Sequence, residues 1–253
     1  MSEEERSEEG LSEGELQVGE APAVALSGYY SDADTSLLTP RQRLTWRVGD
    51  AMREMIDRLV DNRAPDEAFA AMADDLEAMV ETLRGFEHGR RYVQFAEAST
   101  AGAGPPKGHA EYSPLIGRAN PIAPLMNFTI DPPKVRAEVR FGSAYEGPPG
   151  NVHGGLVAAA FDEVMGAAQA LTGNPGMTGS LTINYRSPTP LHELLVCEAW
   201  TARTEGRKIF VDATLHAGDR LCAEATGLFI SVDFAKLAAM MAARNNETWS
   251  QAT

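Results

Sequence analysis

The residues with the clearest chemical potential lie between positions 153 and 178. His153 is followed by Gly154 and Gly155 at the start of a long, alanine-rich apolar segment. If that segment is a helix, its first backbone N–H groups lack partners within the helix, and the helix dipole favours negative charge beside them. The glycines also let a ligand approach the main chain closely. The turn is therefore a candidate oxyanion site. An ordinary glycine-rich loop with an incidental histidine is also consistent with the same sequence.

Asp162 lies nine positions after that histidine, in the middle of the apolar segment. A carboxylate among apolar side chains is costly to bury unless it is paired or used, and burial would strengthen it as a base. The alternative is a solvent-facing acid, a role that suits the neighbouring Glu163 better because adjacent helical positions point about 100° apart. Thr178 could position a water or the carboxylate, or it could be an ordinary β-branched strand residue.

The 253-residue chain is acidic, with a formal net charge of −14. It has no basic excess to neutralise phosphates, which argues against a binder of nucleic acid or anionic membranes. A phosphate-bearing ligand would need a few local cations, and Arg186, Arg207 and Lys208 could serve, although solvated turn charges explain them equally well.

Cys197 and Cys222 lie in apolar runs and are expected to be buried, reduced thiols. No ligand cluster in the sequence suggests a metal.

The ends of the chain bear on its location. Residues 1–28 are rich in Glu, Gly and Ser, so we expect an acidic, disordered tail. No apolar run approaches the roughly 20 residues that span a bilayer, and the amino terminus lacks the apolar core of a secretory signal. These features predict a cytoplasmic protein without stable membrane insertion.

Hydrophobic periodicity predicts two kinds of structure. Apolar residues recur at helical spacing from Thr39 to Phe86, which predicts a helical hairpin inside an extension covering 29–97. Residues 98–124 are rich in Gly, Pro and Ser and indicate a linker or long loop. Beyond them, strand patterns occupy 125–130, 134–142, 177–187, 193–204, 207–217 and 220–232, with one helix at 154–171. We expect residues 237–253 to form a weakly helical tail.

The order β-β-α-β-β-β-β leaves one apolar helix to cover one face of a sheet over residues 125–236. A sheet with a buried face needs such a cover, and the alanines of the helix permit close approach. The prediction is an α+β fold in which a curved antiparallel sheet surrounds one central helix, with a helical extension at the N-terminus.

These segments together resemble the acyl-CoA thioesterases of the hot-dog superfamily. The motifs that carry the resemblance are YEGPPGNVHGGLVAAAFDEVMG (145–166), MTGSLTINYRSPTPL (177–191), EGRKIFVDATL (205–215) and EATGLFI (224–230). They are most similar to the long-chain acyl-CoA thioesterases related to the carboxyl-terminal modulator protein, and more distantly to the phenylacetate-degradation type. The match spans roughly 125–235 and leaves the helical hairpin outside.

The resemblance implies a hydrolase of fatty acid metabolism that splits an acyl-CoA thioester into a free acid and coenzyme A, without a separate cofactor. Asp162 matches the residue that activates a water or attacks the carbonyl itself, and Thr178 matches the hydroxyl that helps to place the nucleophile. His153 and the Gly154 amide match the groups that polarise the carbonyl. The segments that line the coenzyme A groove in the family correspond here to Gly155, Asn184, Tyr185, Arg186, Arg207 and Lys208. Glu146 and Asn151 depart from the family pattern and could alter acyl preference.

Helix geometry predicts the oligomeric state. At a rise of 1.5 Å per residue, Asp162 lies roughly 13 Å along the helix from His153, too far for both to act on one carbonyl. We therefore expect a homodimer, or a dimer of dimers, whose sites combine His153 and Gly154 of one chain with Asp162 and Thr178 of the other.

Other functions fit the same fold. One is a non-catalytic acyl-CoA-binding or regulatory protein, and another is a dehydratase that acts on the acyl chain. The apolar stripe of the helical hairpin also needs a partner, so we expect the hairpin to pack against the hot-dog domain and shape an acyl tunnel.

Overall fold

The structure is a computed structural model that describes residues 38–86 and 111–232, apart from Pro175. The predicted acidic tail, residues 98–110 of the predicted linker and the predicted C-terminal tail lie outside the described residues.

Two helices form the N-terminal part, α1 (Pro40–Val60) and α2 (Asp66–Arg84). Thr39 begins α1 with a reciprocal capping box, because its side chain accepts from the Gln42 N–H while the Gln42 side chain accepts from the Thr39 N–H. Proline at the first position of α1 has the backbone angle that a helix start requires. Both predicted helices are confirmed.

A single six-stranded antiparallel sheet and one helix form the C-terminal part. The sheet has the order β1-β2-β4-β5-β6-β3, so β1 and β3 are its two edges. The strands are β1 (Asn127–Asp131), β2 (Lys134–Val139), β3 (Gly176–Tyr185), β4 (Leu195–Glu205), β5 (Lys208–Ala217) and β6 (Arg220–Ser231), and the helix is α3 (Gly154–Ala170). Every predicted strand and the predicted helix are present, with ends shifted by a few residues.

The hydrophobic core lies between the sheet and α3, which contacts β2, β3, β4, β5 and β6. Phe161, Val164 and Met165 are fully buried on α3. Small residues bring the backbones together, since a Cβ at Gly227 of β6 would lie 2.8 Å from the Met165 side chain. The predicted hot-dog architecture, a sheet wrapped around one central helix, is confirmed.

A buried amide fixes the junction between α3 and β3. Gln169 is 1% exposed, and its Oε1 accepts the Gly176 N–H at 2.9 Å while its Nε2 donates to the Gly166 carbonyl at 3.0 Å. A Cβ at Gly176 would lie 2.5 Å from the Ile230 carbonyl oxygen, so only glycine permits this approach to β6. The start of β3 is thereby held at a defined position against the end of α3.

The hairpin contacts the sheet domain differently from our expectation. α1 packs on the domain through polar residues, with Arg53 donating to the carbonyls of Ala123 (2.8 Å), Asn120 (2.9 Å) and Arg118 (3.0 Å). None of the residues of α2 is buried. The predicted packing of the hairpin against the hot-dog domain is confirmed for α1, but charge-assisted bonds to loop carbonyls hold this helix and its apolar stripe stays exposed. The role of the hairpin in an acyl tunnel stays a prediction.

Candidate active site

The His153 turn is built by hydrogen bonds from three directions. The His153 N–H donates to the Tyr145 carbonyl at 2.9 Å, and the neighbouring Val152 N–H donates to the Thr189 carbonyl at 2.8 Å. The Tyr145 hydroxyl donates to the Ile122 carbonyl at 3.0 Å, and burial raises the pKa of this phenol, which keeps it a donor. His153 itself is exposed at the N-cap of α3.

The ring of His153 also has a defined hydrogen-bonding state. Its Nδ1 accepts the Gly155 N–H at 3.0 Å, so the proton of the neutral imidazole sits on Nε2. The Nε2–H can then be donated to a ligand. The Gly155 N–H is used within the chain, whereas Gly154 occupies the first helical position, where a backbone N–H has no partner inside the helix.

Tyr185 supports Gly154 from the edge strand. Its hydroxyl donates to the Gly154 carbonyl at 2.8 Å, and a Cβ at Gly154 would lie 3.4 Å from that hydroxyl. Gly154 and Tyr185 line a cleft together with Val152, Arg186 and Pro188. The sequence predicted Tyr185 near coenzyme A; the structure adds a bond that holds the helix start.

The loop before His153 contains both departures from the family pattern. The Glu146 carboxylate accepts the Gly150 N–H at 2.6 Å, and Gly150 has φ +73°, a backbone conformation that favours glycine. The Asn151 side chain donates to the Pro149 carbonyl at 2.8 Å. Both side chains therefore stabilise the loop that leads into His153.

Asp162 and Thr178 form the second half of the candidate site. The Thr178 hydroxyl donates to Asp162 Oδ1 at 2.7 Å. Both residues are exposed in the single chain, whereas Glu163 is half-buried. Our expectation that Glu163 is the better solvent-facing acid is therefore wrong, because the sheet leaves uncovered the face of α3 that carries Asp162. Asp162 Oδ2 has no hydrogen-bond partner among residues 38–86 and 111–232, so this oxygen is available to a water or substrate.

A β-bulge at Gly179 turns Thr178 toward α3. Leu181 pairs with Gly227 on the helix-facing side of the sheet, and simple alternation from Leu181 would put Thr178 on the opposite side. The register shifts between Thr178 and Ser180, so that Thr178 pairs with the buried Phe229 and shares its face. Sequence reasoning missed this bulge, although a glycine inside a strand pattern is its usual signal.

The candidate coenzyme A residues divide between the two ends of β3. Arg186 follows the C-terminal end of β3 and pairs with Glu224, its Nε lying 3.1 Å from the carboxylate. Arg207 donates to the Ser231 carbonyl at 3.0 and 3.1 Å. Lys208 pairs with Ile230 of β6, which in turn pairs with the residue before Thr178. Asn184 and Tyr185 are exposed near the Arg186 end. The structure thus brings the predicted residues together as two groups.

Metal and thiol chemistry have little support in the described residues. Within 38–86 and 111–232, no group of three or more His, Cys, Asp or Glu side chains is placed to hold a metal ion. Cys197 and Cys222 are buried free thiols, as predicted, and burial raises the pKa of Cys197 far above its ordinary value. None of the helices in these ranges is long and apolar enough to cross a membrane.

Comparison with known proteins shows which family the C-terminal part is similar to. Residues 149–224 match the family model described as the thioesterase superfamily. The chain is 39% identical over 94 residues to acyl-coenzyme A thioesterase THEM4 of Mus musculus, covering 36% of this chain and 40% of that protein. It is 37% identical over 93 residues to THEM4 of Xenopus laevis, covering 36% and 42% respectively. The chain thus spans about two fifths of the length of these curated relatives.

A solved structure extends the likeness. The crystal structure of a thioesterase superfamily protein matches with a TM-score of 0.65 and 29% identity, covering 74% of this chain and 94% of that one. The matched part of this chain is longer than the segment that contains the sheet and α3, so the match includes part of the N-terminal extension. The sheet and α3 thus have the hot-dog fold, and residues 149–224 are similar to the thioesterase superfamily and to the acyl-coenzyme A thioesterases THEM4 and THEM5.

Proposed function

We propose that the protein hydrolyses acyl-CoA thioesters to a carboxylic acid and coenzyme A. The observation that carries the proposal is the 2.7 Å bond from the Thr178 hydroxyl to the Asp162 carboxylate, on the open face of the central helix of a thioesterase-superfamily domain. The names of the related acyl-coenzyme A thioesterases support the same reaction.

Asp162 supplies the nucleophilic half of the reaction in one of two ways. As a base it takes a proton from a water, and the water oxygen adds to the thioester carbonyl carbon. As a nucleophile it adds its own oxygen, and a water then hydrolyses the resulting anhydride. In both cases the C–S bond breaks and the coenzyme A thiolate leaves and is protonated. Thr178 orients the carboxylate in either scheme by fixing Oδ1.

The start of α3 supplies the electrophilic half. The Gly154 N–H and the Nε2–H of His153 are two donors beside the positive end of the helix dipole. Aimed at the thioester oxygen, they stabilise the negative charge that develops when the carbonyl is attacked. The Tyr185 hydroxyl keeps the Gly154 peptide in place through its carbonyl.

Two chains are needed to join the halves. Thr178 and Tyr185 are seven residues apart on β3, roughly 20 Å along the strand. Arg207 and Lys208 lie at the Thr178 end, and Arg186 lies at the Tyr185 end. In the described part of the chain β3 pairs only with β6, so its other edge is open. If two β3 edges pair antiparallel about a two-fold axis, the Thr178 end of one meets the Tyr185 end of the other.

Replacement of the carboxylate tests the reaction. Asp162→Asn should lower thiol release from acyl-CoA by about 100-fold or more, the usual contribution of a positioned base, while acyl-CoA still binds by calorimetry. Glu163→Gln is the matched control, because it changes the adjacent carboxylate, which points about 100° away. A near-normal turnover for Asp162→Asn would remove its assigned role.

The products separate this function from its alternatives. A wild-type protein that binds acyl-CoA but releases no thiol across a panel of straight-chain, branched and aromatic substrates would be a binding or regulatory module. An enoyl or hydroxyacyl thioester among the products would identify a dehydratase.

Mixing two inactive variants tests the composite site. Gly154→Pro removes one N–H at a helix position that proline tolerates, whereas Gly154→Ala keeps the N–H and its Cβ meets Tyr185 at an ordinary 3.4 Å. Neither Gly154→Pro nor Asp162→Asn should turn over substrate alone. After unfolding and refolding together in equal amounts, half of the dimers are mixed and each has one intact site, so about one quarter of wild-type activity returns. No recovery, with mixed dimers verified by mass, would contradict a shared site.

A further inference from the structure

The N-terminal hairpin presents an apolar surface that its own domain does not cover. We call this surface the open stripe. It consists of Leu44, Val48 and Met52 on α1 and Met79, Val80 and Leu83 on α2. Val48 is 58% exposed, Met79 is 60% exposed and Leu83 is 70% exposed. A concentration of exposed large apolar side chains of this kind marks an interaction site.

The open stripe cannot turn inward, because α1 is fixed to the sheet domain by its other face. Three bonds from Arg53 to loop carbonyls hold that face, and Arg118 makes bonds of 3.0 to 3.2 Å to both carboxylate oxygens of Asp50. A Cβ at Gly49 would lie 2.5 Å from the Arg118 carbonyl oxygen, so the helix approaches the loop as closely as a glycine allows.

Within the hairpin, the two helices cover each other only near their connection. Met55 and Leu59 of α1 line one apolar cavity with Phe69 and Met72 of α2. Phe69 and Met72 are half-buried there, whereas the open stripe lies beyond this cavity on both helices. Both helices therefore have exposed apolar residues that the other helix does not cover.

The charged side chains beside the open stripe indicate what kind of partner it binds. α1 carries five arginines against three acidic residues, whereas α2 carries six acidic residues against one arginine. Arg41 and Arg47 lie beside the stripe on α1, and Asp75 and Glu77 lie beside it on α2. None of these four forms a salt bridge with another residue of 38–86 or 111–232. The acidic α2 would be repelled by an anionic membrane, which disfavours a lipid surface.

We propose that the open stripe binds the open stripe of a second copy of this chain, with α1 of one copy against α2 of the other. A surface that carries both signs in separate places is self-complementary about a two-fold axis, so the basic flank meets the acidic flank twice. The apolar side chains supply the free energy and the charges fix the pairing. The contact is a four-helix arrangement made from two hairpins.

This surface is distinct from the open edge of β3. α1 packs on segments next to β1 and β2, at the opposite edge of the sheet from β3. Two different two-fold contacts on one chain close into an assembly of four when their axes intersect at right angles. The hairpin contact therefore goes beyond the proposed reaction and does not depend on it.

Sedimentation velocity and light scattering on the full chain test the proposal. Val48→Glu combined with Leu83→Glu places charge in the contact and should weaken hairpin association by about 100-fold or more, so the assembly mass falls by half at micromolar concentration. Ala78→Glu adds the same charge to the opposite face of α2 and should leave the mass unchanged. Circular dichroism checks that the helices persist in both.

A charge exchange adds specificity to the test. Arg41→Glu with Arg47→Glu should weaken the assembly, and further addition of Asp75→Lys with Glu77→Lys should restore it. The proposal is overturned if the stripe variant keeps the wild-type mass, or if the Ala78 control loses mass equally. Thioesterase activity is measured in parallel: an inactive wild-type protein that still shows these mass changes would refute the proposed reaction and leave the hairpin contact standing.

Discussion

Substitution of Thr178 by valine isolates the bond that, in the proposed mechanism, prepares Asp162 for attack. Valine keeps the shape and the strand preference of threonine but cannot donate to the carboxylate. In the wild-type chain the two oxygens are 2.7 Å apart, a short bond to a charged acceptor. The change therefore removes one interaction and leaves the bulge at Gly179 and the pairing with β6 intact.

The expected magnitude follows from the charge and exposure of the pair. A hydrogen bond to a charged group contributes about 1.5–3 kcal/mol, and both partners are exposed in the single chain, which favours the lower end. If the bond is needed to hold the attacking geometry, about 1.5–2 kcal/mol corresponds to a decrease in kcat of roughly 10- to 30-fold. Stability should change by less than about 0.5 kcal/mol, since water can replace the bond.

Thiol release measured against substrate concentration separates the two effects. We expect kcat to fall for Thr178→Val while KM and the midpoint of urea denaturation stay near their wild-type values. Thr178→Ser retains the hydroxyl and should retain most of the activity. A kcat for Thr178→Val within twofold of wild type, or a loss of stability that matches the loss of rate, would refute the positioning role.

Two further predictions concern the elements that hold the site and the hairpin. Gln169→Leu leaves the buried Gly176 N–H without an acceptor and should lower the free energy of unfolding by about 1–3 kcal/mol in urea denaturation, with no such loss for the conservative Gln169→Glu at acidic pH. Burial alone would raise the pKa of Asp50, but Arg118 and Arg53 hold it below its ordinary value. The stabilisation is therefore present above the unfolded carboxyl pKa and lost as the pH falls through the folded one. Urea denaturation should show this acid loss, reduced in Asp50→Asn.

The sequence predicted those parts of the fold that periodic patterns determine. The apolar run after His153 became α3, with Gly154 as its first residue. Alternation located the strands because those that contact α3, β2 to β6, have one face against the helix and one outward face. Sheet order and the identity of the edge strands were not predicted, since no local pattern states which strands are neighbours; β3 pairs with β6 and not with β4, its neighbour in sequence.

The local contacts of the site could not be predicted in the same way. The face of the sheet on which Thr178 lies depends on one unpaired residue, Gly179, because a shift of one residue exchanges the two faces of a strand. The exposure of Asp162 depends on how far the sheet curves around α3. The amino-acid sequence of the helix does not determine that curvature. The packing of α1 depends on hydrogen bonds from Arg53 to three loop carbonyls. These bonds join segments about 70 residues apart in the sequence.

The exposure of the Asp162–Thr178 pair is itself an argument about where catalysis occurs. A carboxylate open to water on a single chain has no means of excluding solvent from a thioester or of confining an acyl group. Its proposed partner groups, the Gly154 N–H and His153 Nε2, lie at the far end of β3, where His153 is exposed and Gly154 is half-buried. In the proposed mechanism each half is incomplete by itself, and the halves are spaced along an edge of β3 that pairs with no other strand among the described residues. Antiparallel pairing of two such edges would complete both sites in one step, so loss of that pairing should abolish both sites together and not one at a time.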